Sequence, residues 1–217
     1  NGRFSGIRHP NQPNIREEFT LRLELKLIAD VGLVGMPNAG KSSILAASTR
    51  AKPKIANYPF TTLFPNLGVV ELDLDTTMVL ADIPGLIEGA SEGVGLGHDF
   101  LRHVQRTRVL IHVLDGMSAD PLEDFDVINN ELALFDDRLG RSPQLVVLNK
   151  MDLPDVQERY EGLAQTLKER DIDLMPVSAV SGLNMKELMW ATYQLLQDTP
   201  IEESQEELPV YRADEDP

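Results

Sequence analysis

The apolar run Val31–Val34 leads straight into Gly35-Met36-Pro37-Asn38-Ala39-Gly40-Lys41-Ser42, and a helix-like run, Ser42 to Ser48, follows at once. Two glycines four residues apart, closed by Lys-Ser, form the phosphate-binding P-loop pattern. Gly35 and Gly40 allow backbone conformations closed to residues with a Cβ, so successive N–H groups turn inward toward phosphate oxygens. Lys41 brings a mobile positive charge to β- and γ-phosphates, and Ser42 offers a hydroxyl to Mg²⁺. The helix that follows adds the partial positive charge of its N-terminus. A chance Gly-Pro-Asn turn is the competing reading, and the strand before and helix after the loop argue against it.

The rest of the chain repeats this alternation. Apolar strands are expected at Leu67–Leu72, Met78–Asp82, Val109–Leu114, Leu145–Leu148 and Asp173–Val177, with a turn at Asp73–Thr76. Helices are expected over His98–Thr107, within Pro121–Leu139 ending near Gly140, over Val156–Glu169 and over Met185–Leu196. A half-buried strand with Leu21, Leu23, Leu25 and Leu27 on one face precedes them. The expected fold is an α/β, three-layer P-loop domain: a mostly parallel, six-stranded sheet with helices on both faces. Ligands of such sheets bind beyond the C-terminal strand ends, where the remaining motifs lie.

Asp82-Ile83-Pro84-Gly85 ends a strand; Asp82 can hold Mg²⁺ through water and Gly85 can turn its N–H to a γ-phosphate. Alone this is a common turn, and its weight comes from the P-loop. Asn149-Lys150-Met151-Asp152 ends another strand. Asp152 can accept from guanine N1–H and the 2-amino group, whereas adenine leaves the carboxylate unpaired. The Lys150 stem can lie along the base face, and Asn149 can brace the loop. Ser178-Ala179-Val180 can present a backbone N–H to guanine O6, a signal resting on position only. Thr61 and Thr62, in the proline-flanked loop Asn57–Pro65, stand where a Mg²⁺-sensing loop belongs.

These motifs, in this order, resemble the Ras-like GTPases. More narrowly, Leu23–Gly35, Tyr58–Leu63 and Asp82–Ala90 resemble the bacterial Obg GTPases (also called CgtA), which associate with the large ribosomal subunit. The resemblance covers about residues 20–197. It implies Thr62, rather than Thr61, as the Mg²⁺ ligand beside Ser42 and Asp82. It also implies a nucleotide-contacting loop through Phe60, Thr61, Thr62, Leu63 and Phe64, with Lys41, Thr62 and Gly85 as the catalytic set. Leu86 stands where many Ras-like enzymes carry the Gln that orients the attacking water. The family shares this apolar residue, so catalysis must rest on the loops, the metal or a partner. The division expected is residues 1–28 as the end of a glycine-rich N-terminal domain with its connecting strand, 29–197 as the GTPase domain and 198–217 as an acidic linker. The chain begins at Asn1 without a Met, which reads as a fragment of something longer.

The resulting reading is a Mg²⁺-dependent hydrolase turning GTP into GDP and phosphate, acting as a switch in large-subunit assembly and stress response. The alternative is a GTP/GDP-sensing module with negligible hydrolysis, which Leu86 favours. A third reading, an ATP-dependent enzyme, is disfavoured by Asp152. Asn38, inside the P-loop, offers a carbonyl to a K⁺ ion bridging phosphates; a plain turn-stabilising role is the equal competitor. The net charge of −15 speaks against a broad basic nucleic-acid surface, although residues 201–217 alone hold seven acidic side chains and one Arg. With no cysteine, no apolar run of membrane-spanning length and no signal peptide, a cytoplasmic monomer is expected. His98 and His103 are poorly spaced for a shared metal. His112 reads as a satisfied core histidine, and Arg102, Arg106 and Arg108 read as a solvated or partner-facing surface. Arg50, Lys52 and Lys54, in a polar breaker, could meet RNA phosphates, and a solvated loop is the reading preferred.

Overall fold

Val31–Val34 (β1) is buried at every residue, as a central strand covered on both faces must be. The computed structural model describes residues 29–49, 54–55, 66–82 and 107–199. After β1 come α1 (Lys41–Ser48), β2 (Lys54–Ile55), β3 (Asn66–Glu71), β4 (Thr77–Asp82) and β5 (Val109–Asp115). Then follow α2 (Pro121–Phe135), a 3₁₀ turn at Leu139–Arg141, β6 (Gln144–Asn149), α3 (Pro154–Lys168), β7 (Leu174–Pro176) and α4 (Met185–Asp198). They build one sheet in the order β2-β3-β4-β1-β5-β6-β7. Strands β4, β1, β5, β6 and β7 run parallel, and β2 and β3 are antiparallel additions at one edge. The chain steps from β1 outward to one side and later to the other. That reversal opens the crevice beyond the end of β1 where the glycine-rich loop emerges.

Side-chain alternation divides the core into two layers. Leu33, Val109, Ile111 and Val113 pack with Ile44 and Leu45 of α1 and Leu188 of α4. Leu114, Val146 and Leu148 pack with Phe125 of α2 and Val156 and Leu167 of α3. Each fully buried aliphatic side chain here contributes about 1.5–3 kcal/mol, so the strand ends that carry the site rest on a stiff support.

The three-layer, mostly parallel architecture is the one the sequence predicts, with several corrections. The sheet has seven strands rather than six, because Lys54–Ile55 pairs with Asn66 and Leu67 where a polar breaker is expected. A two-residue edge strand is defined by its neighbour and has no period to read. Helix α2 starts as expected, with Asp120 accepting from the amides of Leu122 and Glu123 and Pro121 in the first turn. It stops at Phe135 rather than near Gly140. Asp136 turns extended, and its carboxylate accepts from the Arg138 amide at 2.6 Å, a local bond that competes with the helix. Arg108 is no solvated side chain: its guanidinium donates to the carbonyls of Leu196 (2.7 Å) and Thr199, closing the end of α4. The turn after β3 is as expected, with Leu72 N–H bonded to Thr76 O and Asp75 N–H to the Asp73 carboxylate. The strand expected at 21–27, residues 98–106 of the helix expected over His98–Thr107, with His98, His103, Arg102 and Arg106, and residues 200–217 of the acidic tail lie outside the described residues; Thr107 is described and is not helical.

Candidate functional site

The glycines of the loop after β1 hold left-handed backbones, φ +144° at Gly35 and +98° at Gly40, and Asn38 joins them at +63°. A Cβ on Gly35 would stand 2.2 Å from the carbonyl oxygen of Val113, and one on Gly40 would stand 2.2 Å from Asn149 Nδ2. Both positions therefore exclude any side chain twice over, by conformation and by space. Ala39 is buried, Met36 half-buried, and Pro37 and Asn38 exposed. Helix α1 has no side-chain cap, so its first amides face the loop without an internal partner. Lys41 Nζ folds back over the loop and donates to the carbonyls of Gly35 (2.8 Å) and Met36 (3.0 Å). Burial pushes the Lys41 ammonium below the usual lysine range, and the Asp82 carboxylate opposes that shift. An incoming anion would favour its charged form further.

Parallel pairing of β1 and β4 sets Asp82 opposite Leu33, two residues before the loop. The Ser42 hydroxyl donates to Asp82 Oδ2. Asp82 is 4% exposed, and its other oxygen, Oδ1, is buried with no hydrogen-bond partner. A buried, unpartnered carboxylate oxygen beside a hydroxyl is a hard, all-oxygen donor set, and it fits Mg²⁺. The other expected members, Phe60, Thr61, Thr62, Leu63, Phe64, Ile83, Pro84, Gly85 and Leu86, lie outside the described residues.

The second half of the site comes from the ends of β6 and β7. Asn149 Nδ2 donates to Ala39 O at 2.9 Å, while its Oδ1 accepts from the Ala179 amide at 3.1 Å. One buried side chain thus ties the loop after β1 to the loop after β7. The Ala179 N–H, a candidate donor to a base oxygen, is engaged by Asn149 in this structure. Ser178 Oγ donates to Asp152 Oδ1 at 2.6 Å and accepts from the Ser181 amide, which orients the exposed carboxylate. Met151 is buried, with its amide on Val177 O at 3.1 Å. Lys150 adopts φ +71° and pairs with Asp115 Oδ2 at 2.7 Å. Val180 is exposed.

Two residues near this half went unread in the sequence. Asp115 carries the signal that marked Asp82, a carboxylate ending an apolar strand just before a turn. Arg159 carries none, because it is one charge on an exposed helix face. His112 needs correcting as well. It is buried and stacked on Phe125 at 4.9 Å, and Nδ1 meets Gln144 Oε1 at 3.2 Å. Nε2 has no partner, so the histidine is only half satisfied.

The family profile described as "50S ribosome-binding GTPase" matches residues 30–150. The protein named GTPase Obg of Myxococcus xanthus (strain DK1622) is 53% identical over 201 residues, covering 91% of this chain and 41% of that protein. The GTPase Obg of Caldanaerobacter subterraneus subsp. tengcongensis is 53% identical over 204 residues, covering 92% of this chain and 48% of that protein. This chain therefore spans less than half the length of either relative. Among solved structures, Era of Aquifex aeolicus bound to GDP·AlF4⁻ superposes with a TM-score of 0.56 at 24% identity, over 82% of this chain and 59% of that one. The G domain of the T. maritima FeoB iron transporter gives a TM-score of 0.54 at 26% identity, over 76% of this chain and 96% of that one. These likenesses agree with the sheet order and the glycine-rich loop at its switch point. With its central 121 residues inside the profile of the 50S ribosome-binding GTPases and 53% identity to proteins named GTPase Obg over 91% and 92% of its length, the chain belongs to the Obg family of GTPases.

Proposed function

We propose that residues 29–197 form a GTPase domain that hydrolyses GTP to GDP and phosphate and acts as a switch. The observation that carries this is Asn149, bonded at once to Ala39 and to Ala179. It makes the phosphate loop and the base-reading loops one preorganised unit. In that unit Lys41 leaves the Gly35 and Met36 carbonyls for the β- and γ-phosphates. The Asp152 carboxylate, steadied by Ser178, accepts from guanine N1–H and the 2-amino group. Ser42 and Asp82, with Thr62 as the expected further ligand, would hold Mg²⁺, which would supply charge to offset that of the phosphates. Gly85 is the expected γ-phosphate contact. The test is Asp152→Asn, which sets an amide donor against guanine's 2-amino group but suits the oxygen of xanthine. Preference moves from GTP toward XTP; an unchanged GTP preference in competition sinks the assignment.

The support for a ribosomal role is the match to the profile of the 50S ribosome-binding GTPases, and the proposed partner is the large ribosomal subunit. Co-sedimentation of this chain and the full-length protein with subunits, under GDP and a non-hydrolysable GTP analogue, tests it. The chain works as a cytoplasmic monomer in this reading, which its lack of cysteine fits. No helix among the described residues is long and apolar enough to cross a membrane. Residues 1–28 and 198–217 are read as the end of a preceding domain and an acidic linker.

Leu86 favours a second reading, a GTP/GDP sensor with negligible hydrolysis, since leucine cannot hydrogen-bond water. Single-turnover assays with and without ribosomal subunits separate the two. Asn38, exposed in the loop, is the proposed ligand for a K⁺ ion that offsets the missing Gln. Turnover is then faster in KCl than in NaCl at equal ionic strength, and identical rates remove the ion from the scheme.

A further inference from the structure

Parallel pairing of β5 with β6 sets Asp115 opposite Asn149, one residue before Lys150. The aspartate is 14% exposed and both its oxygens are engaged: Oδ2 takes Lys150 Nζ at 2.7 Å, and Oδ1 takes the Met117 amide at 2.9 Å. The next residue, Gly116, donates its amide to Asn149 O at 3.2 Å. It fits so closely that a Cβ there would lie 2.4 Å from Val156 Cγ1 and 2.6 Å from Asn149 O. From the far side, Arg159 of α3 donates to three carbonyls of this turn: Gly116 at 3.3 Å, Ser118 at 2.9 Å and Ala119 at 3.3 Å. The turn at 115–119 is therefore held to the loop at 149–152 by an ion pair and a backbone bond, and clamped by a planar guanidinium.

Lys150 needs such support. It is a residue with a Cβ in a left-handed backbone, a conformation that persists only where the surroundings over-determine it. Its long stem would otherwise sample many rotamers, and an ordered stem binds a flat ligand without losing that freedom on binding.

We propose that Asp115 and Arg159 are positioning residues for the base-reading loop: they fix the Lys150 stem and so set how long a guanine nucleotide is retained. This rests on the guanine-nucleotide reading of the site. A purely structural ion pair would change stability alone. A positioning pair changes contacts to the base while leaving the phosphate loop untouched, since neither side chain has a hydrogen bond or ion pair to Gly35–Ser42 among the described residues.

The test uses the full-length protein as wild type, Asp115→Asn, Arg159→Gln and the double variant. Dissociation of fluorescently labelled GDP is measured, and inorganic pyrophosphate serves as a probe with phosphates but no base. Asp115→Asn speeds GDP release about tenfold, the scale of one lost charge-assisted contact. Arg159→Gln speeds it roughly threefold, and the double variant falls short of the product of the two because they share one turn. Pyrophosphate affinity is the same in all four proteins. GDP release at the wild-type rate in both single variants overturns the proposal and leaves the guanine reading standing. Pyrophosphate affinity lost in step with GDP also overturns it, because the turn then acts on the whole fold. A wild type that binds pyrophosphate but does not retain GDP overturns the guanine reading and the proposal with it. Should Asp115→Asn fail to fold, Arg159→Gln, on an exposed helix face, decides the matter.

Discussion

His112 is an imidazole sealed between the sheet and α2, and its burial pushes its pKa from 6.5 down to about 4. The bond to Gln144 opposes that shift, and the charge of Lys41 adds to it. The unfolded chain takes up the proton near pH 6.5 and the folded chain near pH 4. Stability is therefore fully present above pH 6.5 and is lost progressively as pH falls toward 4. Between pH 7 and pH 5 the loss from this residue is roughly 2 kcal/mol. Urea unfolding followed across that range shows the slope, and His112→Phe removes most of it, though the variant starts lower because Gln144 Oε1 loses its partner while Nε2 keeps Asn129. Equal slopes in both proteins would assign the acid sensitivity elsewhere.

Among the elements, the helices differ in how their ends are closed, and only α2 among the described α-helices has a side-chain cap at its start. Helix α2 is capped by Asp120, whereas α1 starts from Gly40 with no side-chain cap, leaving its first amides to an anion. Helix α4 depends on Arg108, which lies 88 residues before the Leu196 carbonyl it bonds. Arg108→Met keeps the apolar stem and removes the donors. The expected cost is about 1–2 kcal/mol, read as a lower urea midpoint at an unchanged m-value. An unchanged midpoint would mean that water closes the helix end equally well.

For the whole molecule, the described part of the site draws on the ends of β1, β4, β6 and β7, from Gly35 to Val180. A ligand that touches them all stabilises the entire sheet rather than one loop. GDP at a hundred times its dissociation constant adds about 2.7 kcal/mol, a rise in melting temperature of roughly 5–10 °C for a domain of this size. Calorimetric scans with GDP and with ATP, each with Mg²⁺, measure it. A rise with GDP alone is expected; equal rises with both would contradict base selection by Asp152.

The amino-acid sequence by itself determined the strand–loop–helix around Gly35 and Gly40, the strand ends at Asp82 and Asn149, and the layered α/β class. Those features depend on backbone freedom at glycine and on the spacing of apolar side chains, both local. Tertiary structure alone decided that Asn149 meets Ala39 across 110 residues, that Lys150 meets Asp115 across 35, and that Arg108 caps α4. It also decided the seventh strand, two residues long. Such contacts follow from strand order and register, which set distant residues side by side, and no local periodicity carries that order.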